Sequence, residues 1–266
     1  MNRISLKTIN NFFYSNEKLV KIYRHCHNFY KKEQYAGGYS IAYNNEKIKF
    51  DKVVDDDQTT LFLSTLDENG DCISILIFKD NDIACLQSLS NDNCLKNPKL
   101  NNGKHLMAIA IKVLKKYKQK FNIKYVDLTD NSFIYCDKNI KISLADLSLL
   151  QYGDTFYGRF GFKLKEKKYN KMMINNKLIL DNLLTKNFDL KEIIIELKEH
   201  KLNKELLKTM YDSYRKYENE LFINWFSYIS KLLMKKNCEF FEYFIIKIFQ
   251  NYKLYSVAHK VFILEL

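Results

Sequence analysis

Apolar residues recur at helical spacing over residues 17–34, where Leu19, Ile22, Tyr23, Cys26 and Tyr30 share one face, and that period predicts an amphipathic helix. A polar, Asp-rich stretch over residues 51–58 reads as a loop. The period then drops to two and the residues become β-branched or aromatic: residues 60–66 (TLFLSTL), 72–79 (CISILIFK) and 83–90 (IACLQSLS) predict three strands. Asn69-Gly70 and Asp80-Asn81-Asp82 are turn signals between them, so the three form an antiparallel meander. An Asn-rich loop carrying Pro98 ends at Asn101-Asn102-Gly103-Lys104. Beyond it Leu106, Ile109, Ala110, Val113, Tyr117 and Phe121 mark a helix, with lysines on its opposite face. Residues 123–129 (IKYVDLT) predict a strand that lies parallel to the third through this helical crossover.

Leu144, Leu147, Leu149 and Leu150 predict a short helix ending near Gly153, and a basic strand over 162–168 and another over 169–174 follow. From about residue 176 strand signals and glycines disappear. Amphipathic stretches over 190–200, 204–217, 218–235 and 239–253 predict helices, the first capped by Asp189. The chain is thus expected to divide into residues 1–176 and a helical region, 177–266. Residues 219–248 hold more apolar surface than one helix hides, including Phe222, Trp225, Phe226, Phe240, Phe241 and Phe244. An internal core or a homodimer through this region would cover it.

With 266 residues, 47% of them hydrophobic, the chain can bury a core. Seven glycines and one proline exclude collagen-like and linker-like readings. The abundance of Lys, Asn, Ile, Tyr and Phe matches AT-rich codons, as in a parasite, a slime mould or a large DNA virus, and this weakens any reading of the +12 net charge. The helical region carries 15 basic and 12 acidic residues, only +3, and no nucleic-acid reader motif appears, so nucleic acid is not the expected partner. The six cysteines form no C-x-x-C pair and read as reduced thiols. In His25-Cys26-His27 neighbouring side chains point about 100° apart on a helix, so no metal site is expected there. Residues 1–14 hold no signal-peptide core, and no apolar stretch is long enough for a membrane span. A cytoplasmic protein follows, or a virion component if the source is viral.

Four of the seven glycines fall between residues 103 and 161. Gly103 stands where a loop enters a helix, a place where backbone N–H groups and the helix dipole favour phosphate. Lys104 and an acid-free run over 103–125 with seven lysines add attraction. Element order and two motifs resemble the GNAT (acyl-CoA N-acyltransferase) superfamily over residues 15–175. Phe156-Tyr157-Gly158-Arg159-Phe160-Gly161-Phe162 is similar to that family's Leu-Tyr-x-x-x-Gly-Phe signature. Leu100-Asn101-Asn102-Gly103-Lys104-His105 keeps only the middle glycine of its Gln/Arg-x-x-Gly-x-Gly/Ala pyrophosphate loop, and Asn131 matches an Asn common at that strand end.

The resemblance implies an α+β fold: a GNAT-like mixed, mostly antiparallel sheet flanked by helices, followed by an all-α C-terminal region. It implies acetyl-CoA as co-substrate, held where the third strand and residues 123–129 splay apart. Amides of Leu89 and Ser90 would bind the pantetheine arm, and those of Asn102, Gly103, Lys104, His105 and Leu106 the pyrophosphate, with Asn131 nearby. Tyr157 would be the acid that protonates the leaving thiolate as an unknown amine attacks. Asp127 and Asp130 are candidate bases. The alternative is a catalytically weak or inactive GNAT-like protein whose helical region docks a partner or dimerises.

Overall fold

The computed structural model describes residues 39–266 apart from 65, 67–69, 79, 91–93, 138–139 and 201. The helix expected over 17–34 and the His25-Cys26-His27 cluster lie outside the described residues. Strands β1 (Tyr39–Tyr43) and β2 (Glu46–Val54) form a hairpin. Its two-residue turn is Asn44-Asn45, with φ of 46° and 65°, a conformation that asparagine tolerates better than most side chains. The loop expected over 51–58 therefore starts only after Val54. Ile48 and Phe50 face inward while Lys47 and Lys49 face solvent, so charge masked a genuine period of two.

The expected meander follows as β3 (Gln58–Ser64), β4 (Asp71–Phe78) and β5 (Ile83–Leu89), each antiparallel to its predecessor. β4 is buried on both faces from Cys72 to Ile77, which is why its sequence is a continuous apolar run rather than an alternation. Helix α1 (Gly103–Tyr117) crosses over, and β6 (Tyr125–Thr129) pairs parallel to β5. A second small sheet comes next, β7 (Phe133–Asp137) with β8 (Ile140–Ser143). It leads into α2 (Leu144–Tyr152), which Ser143 caps and which Gly153 ends at φ 70°.

Beyond the two-residue strand β9 (Lys163–Leu164) the structure departs from the sequence reading. Residues 169–174 are not a strand but part of α3 (Lys167–Asn182). Tyr169, Met173, Asn176 and Leu180 fall on one face, and Asn176 exchanges two hydrogen bonds with the Tyr255 backbone, at 2.8 and 2.9 Å. The expected boundary near residue 176 thus falls inside a helix. Helices α4 (Leu190–Glu196), α5 (Lys204–Lys216), α6 (Phe222–Lys236) and α7 (Cys238–Asn251) follow. Asp189 makes no side-chain cap on α4; its N–H donates instead to Tyr252 Oη, at 2.9 Å.

The last strand, β10 (Val261–Glu265), returns to the sheet and inserts antiparallel between β6 and β9. The order is β1-β2-β3-β4-β5-β6-β10-β9, a mostly antiparallel eight-stranded sheet in an α+β fold. The helices of 177–251 are therefore a long excursion between two strands of one sheet.

Two apolar clusters hold the chain. Leu106, Ile109, Ala110 and Val113 of α1 pack with Ile73, Ile75, Val126 and Phe262 of the sheet. Phe222, Trp225, Phe226, Phe240, Phe241 and Phe244 bury one another in the other cluster, which Leu147, Leu149 and Leu150 of α2 join. Trp225 is fully buried and its indole N–H donates to Ser213 Oγ at 3.0 Å, so the phenylalanine-rich faces of α6 and α7 find their cover within the chain, while Tyr228, Tyr243 and Ile246 stay exposed.

Cys72 and Cys94 form a disulfide, and Cys238 is also disulfide-bonded. This corrects the reading of the cysteines as reduced thiols for these three, while Cys85 is a free thiol, and removes its support for a reducing compartment. The 22-residue separation concealed the pair; the meander brings the start of β4 beside the loop that leaves β5. Among the described residues, no helix is long and apolar enough to cross a membrane.

Candidate functional site

The parallel strands β5 and β6 pair only at their beginnings: Ile83 with Tyr125, Ala84 with Val126 and Cys85 with Asp127. Beyond that point the strands part. On its other side β5 carries an irregularity, because Ser74 faces Ser88 but Ile75 faces Leu86, leaving Gln87 unmatched. Such a bulge bends a strand and raises its twist, which directs the second half of β5 away from β6. Ser90 donates its N–H to the Cys72 carbonyl at 2.8 Å and so is committed to β4, contrary to the expectation that it binds a ligand. Successive residues of an antiparallel ladder turn their backbone groups to opposite sides, so the Leu89 amide faces the gap.

The loop before α1 is fixed at several points. Asn101 Oδ1 accepts from the N–H groups of Cys94 and Leu95, at 3.1 and 2.7 Å, and its amide donates to the Leu95 carbonyl. Asn102 is the N-cap, its side chain accepting from the His105 N–H while its carbonyl takes the Leu106 N–H. The amides of Asn102, His105 and Leu106 are therefore satisfied internally. Those of Gly103 and Lys104 have no acceptor among the described residues, as first-turn donors do not. No acidic residue stands in that turn and Lys104 is exposed. The His105 ring turns away, to Tyr43 Oη at 2.8 Å, and Leu106 is core.

A Cβ at Gly103 would stand 3.4 Å from the Phe156 ring, in ordinary van der Waals contact, so packing alone does not demand a glycine there. Phe156 in turn meets Tyr157 with ring centres 5.3 Å apart, linking the two motifs of the sequence.

Tyr157 is buried among Phe156, Phe162 and Phe262, and its hydroxyl lies 3.1 Å from Ser132 Oγ. Burial, together with the charge of Asp130, pushes its pKa up to about 12, against the smaller opposing effect of the Ser132 hydrogen bond. Asp130 follows directly on β6 and is 2% exposed. Its Oδ1 accepts the Ser132 N–H at 3.0 Å and its Oδ2 has no partner. Burial raises its pKa, while Ser132 and His259 act the other way.

Asp146, on the first turn of α2, stands near it. Burial raises the Asp146 pKa to about 6, and the charge of Asp130 adds to this, while Ser256, Ser143 and the Val257 amide lower it. Ser256 Oγ donates to Asp146 Oδ2 at 2.8 Å. His259, at φ 61°, places Nδ1 2.8 Å from Asn131 Oδ1. The other sequence candidate, Asp127, pairs with Lys165 at 3.7 Å and lies beside the Cys85 thiol, whose pKa burial pushes up to about 12.

Tyr157, Asn131 and Asp130 thus gather where β6 ends, with Gly103 reached through Phe156. Ser90, His105 and Leu106 are turned elsewhere. Ser132, Asp146, Ser256 and His259 escaped the sequence reading, since two separate loops and the first turn of α2 supply them; the Ser143-x-x-Asp146 helix start was the only local signal. No family model, characterised protein or solved structure matches this chain.

Proposed function

We propose that the chain is an acyl-CoA-dependent N-acyltransferase, moving an acetyl group from acetyl-CoA to an amine. The observation that supports this reading best is the three-residue pairing of β5 with β6. It leaves a gap lined by the Leu89 amide, in a sheet whose order matches the GNAT resemblance. Unclaimed N–H groups at Gly103 and Lys104, on a helix start without acids, suit a pyrophosphate.

Bound acetyl-CoA would supply the activated acyl group. The chain's part is to position it and to donate hydrogen bonds. The Leu89 N–H is placed to polarise the thioester carbonyl. As the amine nitrogen bonds to the carbonyl carbon, the C–S bond breaks, its electron pair leaves on sulfur as the CoA thiolate, and the nitrogen releases one proton to solvent, from which the thiolate is protonated once it leaves. A phenol near pKa 12 does not yield its proton outright to an ordinary thiolate near 8.5, because the mismatch costs about 5 kcal/mol. Tyr157 therefore acts by hydrogen bonding to the sulfur, with Ser132 donating to the phenol oxygen.

Titration calorimetry with acetyl-CoA tests the reading: saturable heat and a thermal upshift are expected, and neither at millimolar ligand would reject it. Binding without turnover is the second reading, favoured by the Tyr157 phenol, which burial makes a poor acid with a pKa of about 12. Single-turnover acetyl transfer to an amine mixture separates the two.

A further inference from the structure

We propose that Lys112, Lys116 and Tyr117 of α1 seal the outer edge of β1 against strand addition by a second copy of this chain. The proposal stands apart from the transferase reading. Among the described residues β1 and β9 are the outer strands of the eight-stranded sheet, and an outer strand offers a row of unpaired N–H and C=O groups to any extended chain. β1 is the more inviting of the two. Its sequence, YSIAY, holds no charge and alternates the buried Tyr39 and Ile41 with Ser40 and Ala42, so nothing within the strand repels a partner.

The hairpin register says which groups point outward. A two-residue turn makes Tyr43 and Glu46 the hydrogen-bonded pair that closes the hairpin. Alternation then turns the backbone groups of Tyr39, Ile41 and Tyr43 towards β2 and those of Ser40 and Ala42 away from it. Side chains of α1 take these outward groups. Lys112 Nζ donates to the Ala42 carbonyl and Lys116 Nζ to the Ser40 carbonyl, both at 2.7 Å. Tyr117 Oη accepts the Ser40 N–H and donates to the Ser40 carbonyl, each at 3.2 Å. An ammonium only donates and so covers carbonyls, whereas a phenol also covers an N–H.

The spacing fits the task. Four residues of helix rise about 6 Å and two residues of strand advance about 7 Å, so lysines four apart meet carbonyls two apart. Lys112 Nζ also lies 5.9 Å from the centre of the Tyr43 ring and Lys116 Nζ 5.2 Å from that of Tyr117, which holds both ammonium groups over the edge. A second copy pairing β1 with β1 about a two-fold axis would bring its own Lys112 and Lys116 against these, and like charges oppose that contact. The far edge is closed by the same means. Lys165 donates its N–H to the Val261 carbonyl, so the Leu164 backbone faces outward from β9. Asn170 Oδ1 accepts the Leu164 N–H at 3.1 Å and the Asn170 amide donates to the Leu164 carbonyl, reproducing both bonds of a further strand.

The test compares full-length variants by light scattering across a concentration series, with circular dichroism as the check on folding. Lys112→Ala, Lys116→Ala and Tyr117→Phe combined open the edge while the residue-117 ring still packs on Tyr39, whose ring centre is 4.8 Å away. Lys115→Ala with Lys208→Ala removes the same charge from exposed positions elsewhere. The opened variant should self-associate, its mass rising with concentration to about twice the wild-type value or beyond, and the charge control should match the wild type. Adding Ala42→Pro removes an outward N–H at an exposed edge position without touching the β2 ladder, and should return the mass to the wild-type value. An opened variant that keeps the wild-type mass, a charge control that associates equally, or association that persists with the proline in place would each overturn the proposal.

Discussion

The Tyr157 hydroxyl and Ser132 Oγ, 25 residues apart, lie 3.1 Å from each other at the end of β6. This bond fixes the phenol where the strands have parted, and the Ser132 N–H in turn holds Asp130. Tyr157→Phe removes the donor and keeps the ring packing against Phe162 and Phe262. Single-turnover transfer should slow by about a hundredfold while acetyl-CoA affinity stays within about twofold. Loss of a partly buried hydrogen bond should cost about 1 kcal/mol of stability. Unchanged turnover would remove Tyr157 from the chemistry.

Asp146 should make stability depend on pH in a definite direction. Its folded pKa, about 6, lies above its ordinary 3.8, so the folded chain holds this proton more tightly than the unfolded chain does. The resulting stabilisation is complete below about pH 4 and is lost as pH rises through 6, amounting to at most about 3 kcal/mol. Asp130, raised in the same direction by its own burial, adds to the decline. Thermal melts from pH 4 to 7.5 should show stability falling, and Asp146→Asn should flatten part of that fall. A wild type that gains stability across the interval contradicts this assignment.

The Cys72–Cys94 disulfide ties the start of β4 to the loop that Asn101 organises ahead of α1. Closing a loop of this size stabilises a fold by about 3 kcal/mol. Cys94→Ser should therefore lower the melting temperature by several degrees, and reducing agent should do the same to the wild type. Because the loop positions the Gly103 and Lys104 amides, acetyl-CoA affinity should fall in the same samples. Melts that ignore both changes would show that the loop holds itself.

Removal of residues 257–266 tests the sheet's dependence on its last strand. The truncated chain loses Val257, Phe262 and Leu264 from the sheet core and leaves β6 and β9 without their shared neighbour. An open apolar edge of this kind favours aggregation. Insoluble product is expected, whereas a soluble monomer with unchanged circular dichroism would show that the strand is an accessory.

What could be read along the chain was whatever a local period encodes. The meander of β3, β4 and β5, the crossover through α1, the parallel β6 and the helices from α4 to α7 follow from side-chain spacing over one element, a property each segment carries by itself. β2 was hidden because its lysines are solvent-facing, and α3 was misread because a few apolar residues at its start fit either period. Tertiary structure alone decided which segments meet. VFIL at 261–264 becomes a strand because β6 and β9 offer it two open edges. Cys72 finds Cys94 only through the meander. Asp146 meets Ser256, 110 residues further along, only once β7, β8 and α2 have folded back. Such partnerships are set by which surfaces can bury one another, and short-range spacing does not specify them.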